Sequence, residues 1–266
     1  MNFNEKYGKY ALITGGSSGI GKAIAHELAK KGLNLILVAR RTDELIQAAD
    51  ELKKQHNIEV VCLSADLLTD AGMQTVKNET EKYEVGIVVP AAGLEVNGAF
   101  EKNNLEKELR VIKLNVSVPM ELTHHFLKGM ISRKKGGILL IASLSGHMPN
   151  PYFANYAGTK AYVLNFGASL YGELRPKGID VTVLSPGLTN TPMIAGNGVD
   201  WSKTPMQSLT PEEVAKTAVN ALGKKLIAIP GTKNKIMEGI AKHSPLKMQA
   251  KMNEKMMKKA LSSDKI

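Results

Sequence analysis

Tyr156-Ala-Gly-Thr-Lys160 places a phenol and an ammonium four residues apart, which on a helix is one face. A free phenol ionises near pH 10, too high for proton exchange at neutral pH. A fixed cation beside it favours the phenolate and lowers that value, each unit being worth ~1.4 kcal/mol. The pair is a candidate general acid, although ordinary helix surfaces also carry Tyr and Lys at this spacing. Ser143, in Ala142-Ser143-Leu144-Ser145-Gly146, follows a strand-like run, and parallel sheets bind ligands at the carboxyl ends of their strands. Its hydroxyl can bond a substrate carbonyl or the local turn backbone. Asn115 sits in a helical stretch read from about Asn103 to Arg133. An amide there has low helix propensity and seeks a partner; taken alone it reads as structural.

The elements that must position these groups are apolar, β-rich runs alternating with helical stretches. The runs are Tyr10 to Thr14, Asn34 to Ala39, Ile58 to Ser64, Val85 to Val89, Gly137 to Ala142, Ile179 to Leu184 and Leu226 to Ile229. Nearly continuous apolar strands joined by crossover helices predict an α/β fold, a Rossmann-type doubly wound parallel sheet of about seven strands with helices on both faces. The first strand runs into Thr14-Gly15-Gly16-Ser17-Ser18-Gly19-Ile20-Gly21 and then a helix, the context in which glycines admit a pyrophosphate to a helix N-terminus. Gly16, Gly21 and Lys22 also satisfy most of a P-loop pattern, but Ala23 stands where the Mg²⁺-ligating hydroxyl belongs, which argues against a nucleoside triphosphatase. Strand two ends at Arg40-Arg41, where an acidic residue would favour NAD and arginine accommodates a 2′-phosphate. NADP(H) is thus the expected cofactor. Asp66, with Leu67 beside it, can accept from the adenine amino group or cap the next turn. Pro90-Ala91-Ala92-Gly93 forms a small-residue turn on the same edge.

At 266 residues, with 43% hydrophobic and 23% charged residues, the chain suits one large domain, 1–266. No apolar run approaches membrane-spanning length and no secretory leader is visible. Together with the single Cys62, this predicts a cytoplasmic protein without disulfides or a metal site. The net charge of +10 is concentrated at the end: from Lys233 to Ile266 nine lysines face Glu238, Glu254 and Asp264. Without interleaved aromatics or a reading motif, nucleic acid is not the expected partner. Met248, Met252 and Met256 recur every four residues among these lysines, predicting an amphipathic helix in the tail, about 233–266. Such a helix packs on its own domain or a twin subunit, or else attaches to an acidic membrane surface.

Taken together, Thr14-Gly15-x-x-x-Gly19-x-Gly21, Ala91-Ala92-Gly93, Asn115, Ser143, Tyr156-x-x-x-Lys160 and Pro186-Gly187 resemble the short-chain dehydrogenase/reductase family, in order, up to about Ile229. The resemblance implies reduction of a ketone, reversible as alcohol oxidation. Ser143 would position the carbonyl oxygen and Tyr156 would protonate it. Lys160 would lower the Tyr156 pKa and bind the nicotinamide ribose, and Asn115 would hold a proton-carrying water. Pro186, Gly187 and Thr189 match the segment that contacts the nicotinamide carboxamide, and the family commonly forms homodimers or homotetramers. Two features depart from the family: Pro90 stands where an Asn is usual, and a Lys/Met-rich segment follows the last strand, against a carrier-protein reductase. The long connection 188–209 is expected to be a lid with an apolar inner surface of Met193, Ile194, Trp201 and Met206. A small-molecule carbonyl or alcohol that is apolar or lipid-like, such as a 3-oxoacyl compound, is the expected substrate. The rivals are a cofactor-binding sensor without turnover and a membrane-peripheral protein acting through its tail.

Overall fold

The computed structural model describes residues 2–266. Seven parallel strands, β1 (Tyr10–Thr14), β2 (Asn34–Ala39), β3 (Val60–Ser64), β4 (Val85–Pro90), β5 (Gly136–Ile141), β6 (Ile179–Leu184) and β7 (Ile227–Ala228), form one sheet in the order β3-β2-β1-β4-β5-β6-β7. Alternate residues of β1 enter opposite cores, because successive strand side chains point to opposite faces. Ala11 and Ile13 pack with α2 (Gly19–Ala29), α3 (Thr42–His56) and α8 (Pro211–Ala221). Leu12 packs with α4 (Asp70–Thr80), α6 (Val118–Arg133) and α7 (Ala154–Leu174). Both faces are covered, which is why β2, β4 and β5 read as unbroken apolar runs. The short α1 (Phe3–Tyr7) seats Tyr7 in the first of these cores.

Strand order reverses between β1 and β4, and a crevice opens there at the strands' carboxyl ends. Thr14 Oγ1 ties the two ends together by accepting from the Ala92 N–H at 3.0 Å. Gly15 has φ +66°, and a Cβ on it would press on the Ala92 backbone, so only glycine brings the two turns this close. Pro90 ends β4 opposite Thr14 of β1. On the other side the β4–β5 pairing runs from Ile87–Gly137 to Val88–Ile138 and has already stopped, so the proline takes no N–H from that pairing, and as the last residue of its strand it sits where a strand tolerates it.

The stretch predicted as one helix from about Asn103 is divided. α5 (Leu105–Ile112) passes through a π-helical turn, Lys113–Ser117, into α6, whose first turn carries Pro119. Beyond β7, α9 (Thr232–Lys242) and α10 (Leu246–Ala260) fold back over the sheet's ligand edge. Of the methionine stripe expected to pack on the domain, a twin subunit or a membrane surface, only Met256 packs on the domain. α10 buries Gln249, Asn253, Met257 and Ala260, whereas Met248 and Met252 are exposed. The polar pair is buried because it has partners: Gln249 Nε2 donates to the Ala241 and Ser244 carbonyls at 2.8 and 2.7 Å, and Asn253 Nδ2 to Pro149 O at 2.7 Å. Helical spacing alone could not foresee those bonds.

Candidate active site

Two cavities meet at the β1–β4 crevice. The larger, about 1630 Å³ and open to solvent, is walled by the glycine turn with Ser17, Ser18 and Ile20, by Arg40 and Arg41, by Asp66 and Leu67, and by Ala91, Ala92 and Gly93. It carries the chemistry a dinucleotide needs. α2 begins at Gly19, and the hydroxyl of its N-cap residue Ser18 does not cap it, which leaves the first amides for an anion. Arg41 pairs with Glu44 at 2.6 Å on the exposed start of α3, and Arg40 has no ion partner among the described residues. Asp66 Oδ1 accepts from Leu68 N at 3.0 Å, bonding the turn that follows, and the residue lines the cleft.

The second cavity, about 920 Å³, is mostly apolar. Met193, Ile194, Trp201 and Met206 of the 188–209 connection line it, as expected, and Phe153, Met237, Met256 and Met257 complete it from α7, α9 and α10. Trp201 lies 6.1 Å from Phe153, ring centre to ring centre, and its 3₁₀ turn is pinned by Asp200 N donating to Ala260 O at 2.7 Å. The tail therefore forms part of the cavity wall. Ser143, Gly187 and Thr189 face this cavity rather than the cleft, while Tyr156, Pro186 and Met193 border both.

α7 carries Tyr156 and Lys160 inward as the helix periodicity requires. The turn after β5 sits directly on that helix, because a Cβ on Gly146 would collide with the Lys160 backbone, and this contact holds Ser143 beside Tyr156. Ser143 Oγ accepts from Ser145 N at 3.2 Å. Lys160 is buried, donates to Ile141 O at 2.9 Å, and lies 5.6 Å from the Tyr156 ring centre. Burial pushes the Lys160 pKa down to about 8, and Glu95 opposes that shift. The Tyr156 pKa differs from expectation: burial raises it, the Glu95 charge raises it further, and only a hydrogen bond with Ser143 lowers it. Desolvation outweighs the cation here, since a buried phenol resists ionisation.

Asn115 touches neither cavity. Its Oδ1 accepts from Leu94 N at 2.9 Å, and Nδ2 donates to Leu94 O at 2.8 Å and to Thr159 Oγ1 at 3.2 Å. The amide clamps the turn after β4 to α7, the bridging behaviour read from the residue itself, and both amide hydrogens are already engaged. Its place in a π-helical turn fits the frequent use of such turns at functional sites. Asn115→Leu should unpair the Leu94 backbone and lower stability by roughly 2–4 kcal/mol. Urea denaturation followed by circular dichroism checks this, and an unchanged midpoint would refute the clamp.

Glu95 is the site residue that sequence reading passed over. It borders both cavities, two positions beyond Gly93, and its position in the same ligand-edge turn was the available signal.

The short chain dehydrogenase family matches residues 9–200, and the chain belongs to that family. It is accordingly an oxidoreductase enzyme of the nicotinamide-dinucleotide class. Among its relatives, 7β-hydroxysteroid dehydrogenase of Collinsella aerofaciens is 31% identical over 238 residues, 88% of this chain and 90% of the relative. A solved 7β-hydroxysteroid dehydrogenase structure superposes with a TM-score of 0.86 at 28% identity, covering 96% of this chain and 100% of that one. A short-chain dehydrogenase from Sphingobium yanoikuyae in complex with NADPH superposes with a TM-score of 0.79 at 29% identity, covering 88% and 94%.

Proposed function

We propose that this protein is an NADP(H)-dependent carbonyl reductase, reversible as an alcohol dehydrogenase, acting on a bulky apolar ketone or secondary alcohol. The observation that carries the reading is the convergence of Ser143, Tyr156 and Lys160 where the glycine-walled cleft meets an apolar cavity. When bound in the cleft, NADPH supplies the hydride. Ser143 holds the substrate oxygen by a hydrogen bond, and Tyr156 donates its phenolic proton to that oxygen as negative charge develops there. Its raised pKa suits an acid, which must keep its proton until the reaction demands it. Lys160 orients beside the phenol and takes the ribose hydroxyls. Asn115 holds the Leu94 turn on which the cleft wall depends.

The apolar cavity favours a lipid-like or fused-ring substrate over a sugar, in keeping with the hydroxysteroid dehydrogenase relatives. A panel of steroid, 3-oxoacyl and sugar ketones, followed at the nicotinamide absorbance with NADPH and NADH, tests this; turnover of sugars alone would overturn the substrate class. NADPH should be preferred over NADH, and Arg40→Ala with Arg41→Ala should weaken NADPH binding roughly tenfold or more with little change for NADH. Equal losses for both cofactors would remove the arginines from 2′-phosphate recognition.

A homodimer or homotetramer is supported by Leu105, Leu109 and Ile112, an apolar stripe left exposed on α5, with Tyr162 exposed on α7. Light scattering should give a mass at least twice that of the chain, and a monomer at micromolar concentration would refute this association.

A further inference from the structure

Among the described residues Glu95 is the one charged side chain lining the apolar cavity, and it also lines the cofactor cleft, so it lies where a bound ketone meets the hydride donor. Its Oε1 accepts from Asn197 Nδ2 of the lid at 2.7 Å. Asn197 is held in turn: its carbonyl accepts from Asn97 Nδ2 at 3.1 Å and from Lys265 Nζ at 2.6 Å, and the same ammonium donates to Asn97 Oδ1 at 2.7 Å. Oε2 meets no protein donor among the described residues, and Glu95 lines both cavities. A carboxylate in an apolar pocket is costly unless its lone pairs are used. Here the protein supplies a donor for one oxygen and leaves the other unpaired beside the reacting centre. The charges that face it are the Lys160 ammonium on α7 and Lys265 from the end of the chain, and both Tyr156 and Lys160 feel it.

We propose that Glu95 determines substrate choice by accepting a hydrogen bond from a hydroxyl carried next to the reacting carbonyl, and by repelling substrates that carry a carboxylate there. The substrate class is then a hydroxyketone, or the corresponding vicinal diol in the oxidative direction, on an apolar body. This rests on the reductase reading above. Asn197 and its anchors orient the carboxylate, so the lid that covers the substrate also aims the group that selects it. The selectivity comes from an acceptor left unfilled by the wrong ligand, which discriminates more strongly than an apolar contact does.

The test compares 2-hydroxyacetophenone, acetophenone and phenylglyoxylate, aryl ketones of similar size, with wild-type protein, Glu95→Gln and Glu95→Leu, all at saturating NADPH. The readout is the ratio of kcat/KM between substrates for each protein, and comparing that ratio across proteins cancels the intrinsic reactivity of each ketone. In Glu95→Leu the hydroxyketone-to-acetophenone ratio should fall roughly ten- to a hundredfold from its wild-type value. Glu95→Gln has a single oxygen, which Asn197 Nδ2 engages, so its amide N–H takes the place of Oε2: it should lose the hydroxyketone preference as Glu95→Leu does while gaining on phenylglyoxylate. A ratio that stays at the wild-type value in Glu95→Leu, even if every rate drops, overturns the assignment and leaves Glu95 a structural tie to the lid. Wild-type protein that reduces acetophenone but shows no loss on phenylglyoxylate overturns it while leaving the reductase reading intact. Protein that binds NADPH and reduces none of the three overturns the reductase reading for ketones of this size, and the assignment with it.

Discussion

Tyr156→Phe is expected to lower ketone reduction by roughly 10²- to 10⁴-fold while NADPH still binds, because a single well-placed general acid contributes that range. The substitution removes one oxygen and leaves the ring, its packing near Phe153 and the Lys160 contact in place. A loss confined to kcat, with NADPH still quenching protein fluorescence, identifies the hydroxyl as the proton donor. Retention of most activity would transfer that role elsewhere, and loss of NADPH binding would mean the ring holds the cleft together. The alcohol-oxidation direction needs the phenolate instead. Since burial and Glu95 both hold the Tyr156 pKa above its ordinary value in the cofactor-free site, oxidation should rise with pH across the alkaline range, while reduction persists at neutral pH.

Lys160→Met should abolish efficient turnover and at the same time stabilise the cofactor-free protein at pH 7. The pKa of Lys160 falls from an ordinary 10.5 to about 8 on folding, so the unfolded chain binds the proton more tightly than the native state. The native state carries the full penalty of the buried charge below pH 8, and sheds it progressively as pH rises from about 8 towards 10.5. The shift corresponds to roughly 3 kcal/mol, from which the lost bond to the Ile141 carbonyl takes about 1, leaving a gain on the order of 2 kcal/mol at pH 7. That is a rise in Tm of roughly 5 °C for a domain of this size. The gap between variant and wild type should close between pH 8 and pH 10. Shifts of groups remote from Lys160, such as the raised Tyr10 phenol, are common to both proteins and cancel, whereas Glu95 loses the ammonium that favours its charged form, which subtracts from the gain. Calorimetry at the two pH values decides it: a variant less stable than wild type at pH 7 would show that the ammonium stabilises the site. A variant more stable than wild type would mark the lysine as a group kept for function at a cost in stability.

Three strands, Tyr10–Thr14, Asn34–Ala39 and Ile179–Leu184, have the bounds read from the sequence: the first two are nearly continuous apolar runs buried on both faces, and the third keeps β-branched and apolar residues around Asp180 and is preceded by Gly178. The glycine turn and Tyr156/Lys160 were equally legible, since each is local: a strand–turn–helix junction and a four-residue helix spacing. The position after a strand placed Ser143 at the ligand edge and the family resemblance placed Pro186 there, and the sheet order delivers both to the second cavity. What the sequence could not determine depends on partners distant in the chain. The buried face of α10 was set by carbonyls at Pro149, Ala241 and Ser244, which made Gln249 and Asn253 better buried than Met248 and Met252. Asn115 was diverted from either cavity by Leu94 and Thr159. The direction of the Tyr156 shift followed from desolvation and from Glu95, a residue whose charge acquires meaning only once the sheet's switch point folds it against α7. Periodicity and spacing along the chain thus determined the fold and the Tyr156/Lys160 pair, whereas burial, which sums contributions from every element around a group, decided the electrostatics and the shape of the apolar cavity.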